Sequence, residues 1–366
     1  MTIKLLIVDD SALMRRQLTQ LFQAEGDFEV RLARNGKEAV DENRDFQPDV
    51  VTLDINMPEM DGLTALSHIM ATRSVPVVMV SSLTEKGALA TFEALALGAV
   101  DYVAKPGGTI SLSIDDVRDE LVGKVRAAAR ARPRRSSRAA NNAPSPARGS
   151  VVERMREERA AAGAVRKSFV RRSGAHSDGL VIIGVSTGGP STLEQILPRL
   201  PEDFPYPVVV AQHMPPSFTG PFANRMNQAC ALEVVEANRP LELKAGMVFI
   251  ARGGADLVVA VRAGKPMVIP KPESAQHLWH PSVELLGRSV LEHCNVGHVI
   301  AVMLTGMGND GADAFTEIKR LGGRTIAESE ESAVVFGMPK ELIERGGAGR
   351  VLHAEAIADQ IIDWAR

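Results

Sequence analysis

A repeated unit constrains this chain more than any other feature: a short apolar run that ends in a charged or hydroxyl side chain and is followed by a stretch of helical period. Four such runs stand in the first third, Lys4-Leu-Leu-Ile-Val-Asp9-Asp10, Val50-Val-Thr-Leu-Asp54, Val75-Pro-Val-Val-Met-Val-Ser81 and Val100-Asp-Tyr-Val-Ala-Lys105-Pro106. Their near-continuous apolar character predicts strands buried on both faces. Between them, Leu13 to Phe22 and Leu63 to Met70 carry helical spacing, and Gly98 is placed to stop a helix. Strands alternating with helices predict a doubly wound parallel sheet, which binds ligands beyond the carboxyl ends of its strands. The unit returns in the second half, in Leu180-Val-Ile-Ile-Gly184-Val, Pro207-Val-Val-Val-Ala-Gln-His213 and His298-Val-Ile-Ala-Val-Met-Leu-Thr305. The fold class expected is therefore α/β, with two doubly wound parallel-sheet domains.

Length agrees, since 366 residues make about two domains. The net charge of −3 conceals an asymmetry: residues 1–123 sum to −9, residues 124–172 to +12 and residues 173–366 to −6. The stretch from Arg130 to Gly149 is rich in Arg, Ala, Ser, Asn and Pro and buries too little apolar surface to offset its ordering entropy. Val151 to Arg172 is composed of helix formers. The expected organisation is a first domain at 1–123, a basic, partly disordered or helical linker at 124–175, and a second domain at 176–366. The linker reads first as a solvated tether, and its charge also suits attraction to the two acidic bodies it joins or to an acidic partner. No helix-turn-helix or zinc-finger pattern accompanies it, so DNA is not an expected partner. No apolar run approaches the ~18 residues of a membrane span, and the start is too short a signal for secretion. With only Cys230 and Cys294, a disulfide framework is excluded. A cytoplasmic protein without membrane insertion is expected.

The four strand ends of the first body gather Asp9, Asp10, Asp54, Ser81 and Lys105. Three carboxylates in one pocket repel and call for a cation, and oxygen-only ligands select Mg²⁺. A carboxylate beside Mg²⁺ can attack a phosphoryl donor and become an aspartyl phosphate. Lys105 would then pair with the phosphoryl oxygens and Ser81 would hydrogen-bond one of them. On these residues, with Met57-Pro58, Met60-Asp61-Gly62 and Lys105-Pro106, the first body resembles the flavodoxin-like receiver domain of response regulators. The resemblance implies Asp54 as the phosphorylated residue, Asp9, Asp10, Asp54 and the backbone carbonyl of Asn56 as Mg²⁺ ligands, and Ser81 and Lys105 as the switch pair.

In the second body, Gly184-Val-Ser186-Thr187-Gly188 satisfies G-x-S-x-G between a strand and a helical pattern from Thr192 to Leu200. Alone, that motif fits a glycine-rich anion loop or a plain turn equally well, though no Walker lysine follows. His213 ends a second strand and Asp310 lies in the glycine-rich loop after a third. If the strands are parallel, Ser186, His213 and Asp310 share one sheet edge and supply nucleophile, base and orienting acid. Their order in the chain differs from that of the α/β-hydrolases. Asp313 is a poorer acid, being already inside the next helix. His277 and His280 are expected to share a helix face in surface or packing roles. His68 lies on a helix of the first body, His176 in the linker, and His353 lacks a chemical neighbour; His293 and Cys294 invite a thiol reading, but Cys294 reads as a buried structural cysteine.

The segments Gly184-Val-Ser-Thr-Gly-Gly-Pro190, Gln212-His213-Met-Pro215, Leu304-Thr-Gly-Met-Gly-Asn-Asp-Gly311 and Val335-Phe-Gly-Met-Pro339 resemble those of the chemotaxis protein-glutamate methylesterases, whose order of receiver, linker and catalytic domain this chain repeats. The resemblance implies Ser186, His213 and Asp310 as catalytic residues and the backbone amides of Thr187 and Met307 as the oxyanion hole. It implies methyl-accepting chemoreceptors as substrate, a sensor histidine kinase as phosphodonor, glutamine deamidation as a second activity, and a receiver–esterase interface that inhibits until Asp54 is phosphorylated. No cofactor is implied for the esterase. Two stretches depart from the family pattern, Ala251-Arg252-Gly-Gly-Ala-Asp256 and Ala327-Glu328. They are expected to lie away from the triad and to bear on substrate fit or partner choice.

Overall fold

The computed structural model describes residues 2–82, 84–105, 114–130 and 179–366. Pro106, His176, the stretch beyond Arg130 and the helix expected at Val151 to Arg172 fall outside them. The first body is built from β1 (Ile3–Val8), α1 (Ala12–Glu25), β2 (Phe28–Ala33), α2 (Gly36–Asp45), β3 (Val50–Asp54), α3 (Gly62–Thr72), β4 (Val77–Ser81), α4 (Glu85–Leu97), β5 (Asp101–Ala104) and α5 (Ile114–Arg130). Its five strands are parallel in the order β2-β1-β3-β4-β5. Ser11, Asn35, Asp61 and Thr84 each cap the helix that follows by accepting a backbone N–H, and Gly98 ends α4 at a φ of 112°. Strand β2 was not legible as a strand: it is an edge strand whose middle faces outward, so Phe28-Glu-Val-Arg-Leu-Ala lacks the continuous apolar run of the other four. Helix α5 passes residue 123 and continues to Arg130, because Val125 and Ala128 bury against Leu5, Ile7 and Val50. The expected boundary at 123 thus falls inside a helix of the first body's own core.

The second body contains β6 (Leu180–Val185), α6 (Gly189–Ile196), β7 (Val208–Gln212), α7 (Pro216–Ala229), β8 (Glu233–Ala237), β9 (Leu241–Glu242), β10 (Met247–Ala251), β11 (Asp256–Arg262), β12 (Lys265–Lys271), α8 (Val283–His293), β13 (Val299–Met303), α9 (Ala312–Arg320), β14 (Arg324–Glu328), α10 (Met338–Glu344), β15 (Arg350–Leu352) and α11 (Ala354–Ala365). Seven of these strands form a parallel sheet in the order β15-β14-β13-β6-β7-β10-β8. Both sheets are doubly wound, as the sequence predicts. The chain builds outward from β6 in both directions, so the crevice for a ligand opens at the tips of β13, β6 and β7. A small antiparallel sheet, β11-β12-β9, was not anticipated. Its signal is the Ala263-Gly264 turn, with φ of 50° and 75°, the primed geometry that joins hairpin strands.

The apolar core is continuous across the two bodies. Phe92 of α4 meets Phe218 and Phe222 of α7 with ring centroids at 6.0 and 5.5 Å, and Tyr102 of β5 stacks on Phe218 at 4.7 Å and 3°. All four side chains are almost wholly buried.

Candidate active site

Strand β6 delivers Ser186 into a tight turn. Gly188 takes a φ of 77° there, and a Cβ on Gly189 would come within 2.0 Å of the Gln212 side chain. Val185 pairs with Gln212 in register, so Ser186 and His213 are the next residues past two adjacent strand tips. The His213 amide donates to Val185 at 3.1 Å. Gln212 Nε2 ties the two together, donating to the Ser186 carbonyl at 2.9 Å and the His213 carbonyl at 3.0 Å. From the tip of β13, Asp310 reaches His213, with Oδ2 at 2.8 Å from Nε2. The carboxylate only accepts, so the ring proton sits on Nε2 and the Nδ1 lone pair is left open. Nδ1 is buried and has no hydrogen bond among the described residues.

Asp310 is held by more than the histidine. Its oxygens accept from the Val283 amide at 2.7 Å, the Glu284 amide at 2.9 Å and the Ser282 hydroxyl at 3.1 Å, all at the start of α8. Burial works to raise its pKa, but His213 and the two amides override that and hold the carboxyl below its ordinary value. Asp313 lies in the first turn of α9 and pairs with Arg345 at 2.8 Å, as expected of a residue outside the triad.

The loop carrying Met307 is braced by Thr305. Its carbonyl accepts from the Ser186 amide at 3.0 Å, and its hydroxyl donates to the Thr187 carbonyl at 2.8 Å. A Cβ on Gly306 would stand 2.7 Å from that of Ser186, so the two loops touch at the nucleophile. Among the described residues, the amides of Thr187 and Met307 donate to no backbone carbonyl.

Neither departure bonds a triad side chain, but each holds a residue that braces the triad. Buried Glu328 accepts from the Thr305 amide at 2.8 Å and from the Ser332 hydroxyl at 2.9 Å. Buried Asp256 accepts from His280 Nδ1 at 2.9 Å and from the amide of Ser282 at 2.8 Å, the residue whose hydroxyl holds Asp310. A Cβ on Gly253 would collide with Met214 and Pro215, directly after His213. His280 therefore does not share a helix face with His277. Both lie in the loop between β12 and α8, ahead of the cap at Ser282. Trp279 in that loop stacks on His213, with ring centroids at 6.0 Å and planes within 6°. The reading of single residues missed Gln212, Thr305, Ser282 and Trp279, because each acts through a contact that no spacing reveals. The thiols are no rivals, since burial pushes Cys294 up to about 11 and Cys230 up to about 12.

In the first body, oxygens of Asp9, Asp10 and Asp54 lie within 4.8 Å of one another. Lys105 Nζ is 2.8 Å from Asp54 and 2.9 Å from Asp9. Burial pushes the Asp54 carboxyl above its ordinary pKa, and Asp9 adds to that against the pull of Lys105 and the Asn56 amide. Burial also opposes the charge on Lys105, but Asp54 and Asp9 hold its pKa above the ordinary value. Such a crowded acidic set, with an acceptor-only donor chemistry, fits a hard divalent cation. A Cβ on Gly62 would fall 2.1 Å from the Asp54 carbonyl, which is the physical reason for glycine after Met60-Asp61. The Ser81 hydroxyl donates to the Gly87 carbonyl of α4 at 3.3 Å.

The two sites are joined through the interface. Gly123 of α5 packs on Met307, where a Cβ would approach Cε to 2.6 Å. Burial raises the Asp101 carboxyl above its ordinary pKa, against the pull of Lys124, the Tyr102 amide and the Thr187 hydroxyl. The first body thus rests against the side chain of Met307, one of the two residues expected to form the oxyanion hole.

The two parallel-sheet bodies define a response-regulator receiver joined to a hydrolase domain of α/β class. Residues 5–113 match the response regulator receiver domain model and residues 181–361 the CheB methylesterase model. A protein-glutamate methylesterase/protein-glutamine glutaminase of Rhodospirillum rubrum is 53% identical over 366 residues, covering 99% of this chain and 96% of its own. Another, from Rhodopseudomonas palustris, is 51% identical over 370 residues, with 99% and 98% covered. The crystal structure of the Thermotoga maritima CheB methylesterase catalytic domain is 42% identical and covers 51% of this chain and 98% of its own, with a TM-score of 0.49. The chain belongs to the CheB family of protein-glutamate methylesterases/protein-glutamine glutaminases. Among the described residues, no helix is long and apolar enough to cross a membrane.

Proposed function

We propose that this protein is a phosphorylation-activated serine esterase that hydrolyses glutamate γ-methyl esters on chemoreceptors, releases methanol, and deamidates receptor glutamines, so giving adaptation in a chemosensory system. The observation that carries the reading is the convergence of Ser186, His213 and Asp310 at neighbouring strand tips, with His213 Nδ1 open on the side away from Asp310. Ser186 attacks the ester carbonyl while Nδ1 of His213 takes its proton. Asp310 stabilises the resulting imidazolium through Nε2. The Thr187 and Met307 amides receive the oxyanion. Methanol leaves with the proton from His213, and water hydrolyses the acyl-enzyme by the same route. A glutamine side chain presents the same carbonyl with ammonia as leaving group.

On this reading the receiver is residues 1–123, the basic linker 124–175, which begins within α5, and the esterase 176–366. A sensor histidine kinase supplies the phosphoryl group to Asp54. Asp9, Asp10, Asp54 and the Asn56 carbonyl would hold Mg²⁺, which when bound offsets the charge gathered on the phosphoryl oxygens. The new charge recruits Lys105 and the Ser81 hydroxyl. Ser81 then gives up Gly87, and α4, which carries Phe92, is released from α7. In the unphosphorylated state Gly123 packs on the Met307 side chain, which supports an inhibitory role for the interface. The test is methanol release from methylated receptor membranes. Wild type releases methanol and Ser186→Ala releases none; equal release by both would overturn the assignment.

A further inference from the structure

We infer that Trp279 is a positioning residue for His213, carried by a clasp that the His280–Asp256 pair anchors; the inference rests on the esterase reading above. The clasp is the loop between β12 and α8. At one end, Asp256 accepts from the Ser274 amide at 2.8 Å, and at the other from the Ser282 amide at 2.8 Å. Between these points His280 Nδ1 stands 2.9 Å from Asp256, whose side chain is fully buried. The loop is therefore closed on one carboxylate, and Trp279 is the residue next to that anchor.

Its indole lies parallel to the His213 ring, at 6.0 Å and 6°. The same indole rests on the backbone of Gly308, where φ is 81° and a Cβ would come within 2.8 Å of the ring. Directly after the anchor, Ser282, Val283 and Glu284 grip Asp310. One segment thus holds the base by its face and the orienting acid from behind. Apart from Asp310, His213 has no side-chain hydrogen bond among the described residues. Without the indole only the Asp310 bond at Nε2 opposes a turn of the ring about the Cβ–Cγ bond, which would carry Nδ1 out of line with Ser186. Trp279 is only partly buried, and the next residue back, Leu278, is 85% exposed, so this stretch is not ordinary core.

The experiment uses the full chain with a small phosphodonor and Mg²⁺. It reads the rate at which a fluorophosphonate labels Ser186, together with kcat and KM for methanol release. For Trp279→Ala, labelling rate and kcat fall together by roughly 5- to 10-fold, the factor an offset aromatic stack is worth, while KM and Tm hold. Trp279→Phe restores most of both, and Leu278→Ala behaves as wild type. Wild-type labelling in Trp279→Ala, or a rise in KM alone, overturns the inference and leaves the esterase reading standing. No labelling of Ser186 in the wild type overturns that reading and the inference with it.

Discussion

Removing the Phe92 ring should unlock the esterase without touching the esterase. The ring is 1% exposed and faces Phe218 and Phe222 across the interface. Phe92→Ala removes roughly 100 Å² of apolar contact, worth about 2.5 kcal/mol at ~25 cal/mol per Å². The ring pairs add about 0.5–1.5 kcal/mol. Part is recovered as the α7 side chains re-pack, so a net loss of about 2 kcal/mol of docking free energy is expected. That shifts the closed-to-open ratio by roughly 30-fold. The assay is methanol release by unphosphorylated protein. Basal activity should rise toward the phosphodonor-stimulated level and stop there, since opening cannot exceed completeness. The stimulated rate should be unchanged, because Phe92 is not part of the triad. A basal rate equal to wild type, in a protein that still melts cooperatively, would refute the claim that this aromatic contact holds the inhibited state.

Three further outcomes follow from the geometry. Gly62→Ala forces the Asp54 carbonyl to move, costing about 1–3 kcal/mol of stability by denaturant titration and abolishing the phosphodonor response. Glu328→Gln keeps an acceptor for the Thr305 amide and should leave activity within about 2-fold; Glu328→Ala orphans that amide, costs about 1–3 kcal/mol and lowers kcat. The folded-state pKa of Asp310 is lowered, so its contribution to stability is present above the unfolded value of about 3.9 and disappears as pH falls through the folded value. The stability gap between wild type and Asp310→Asn should therefore narrow on acidification; a gap independent of pH would contradict it.

Much of this was legible because parallel sheets advertise themselves. A strand buried on both faces must be apolar throughout, so β1, β3, β4, β6, β7 and β13 stand out, and the polar residue ending each is marked by contrast. Asp9, Asp54, Ser81, Ser186 and His213 stand at or just past such ends, while Asp310 lies in the glycine-rich loop after β13. Strand β2 and the β11–β12 hairpin were lost because half-exposed strands mix polar and apolar residues without a clear run. The supports of the site were lost for another reason. Gln212, Thr305 and Trp279 work through partners 26, 118 and 66 positions away, distances that only the closed fold removes. Asp256 and Glu328 were visible as departures, but their bearing on the triad depends on Ser282 and Thr305 lying between. The composition turns basic at Lys124, while the burial of Val125 and Ala128 carries α5 on to Arg130.

The central claim is that charge placed on Asp54 opens a Ser186 esterase. It is tested most directly by methanol release from methylated receptor membranes, with and without a small phosphodonor and Mg²⁺, for wild type and Asp54→Asn. Stimulation of the wild type and an unstimulated basal rate in Asp54→Asn are expected. Equal stimulation of both proteins would contradict the account.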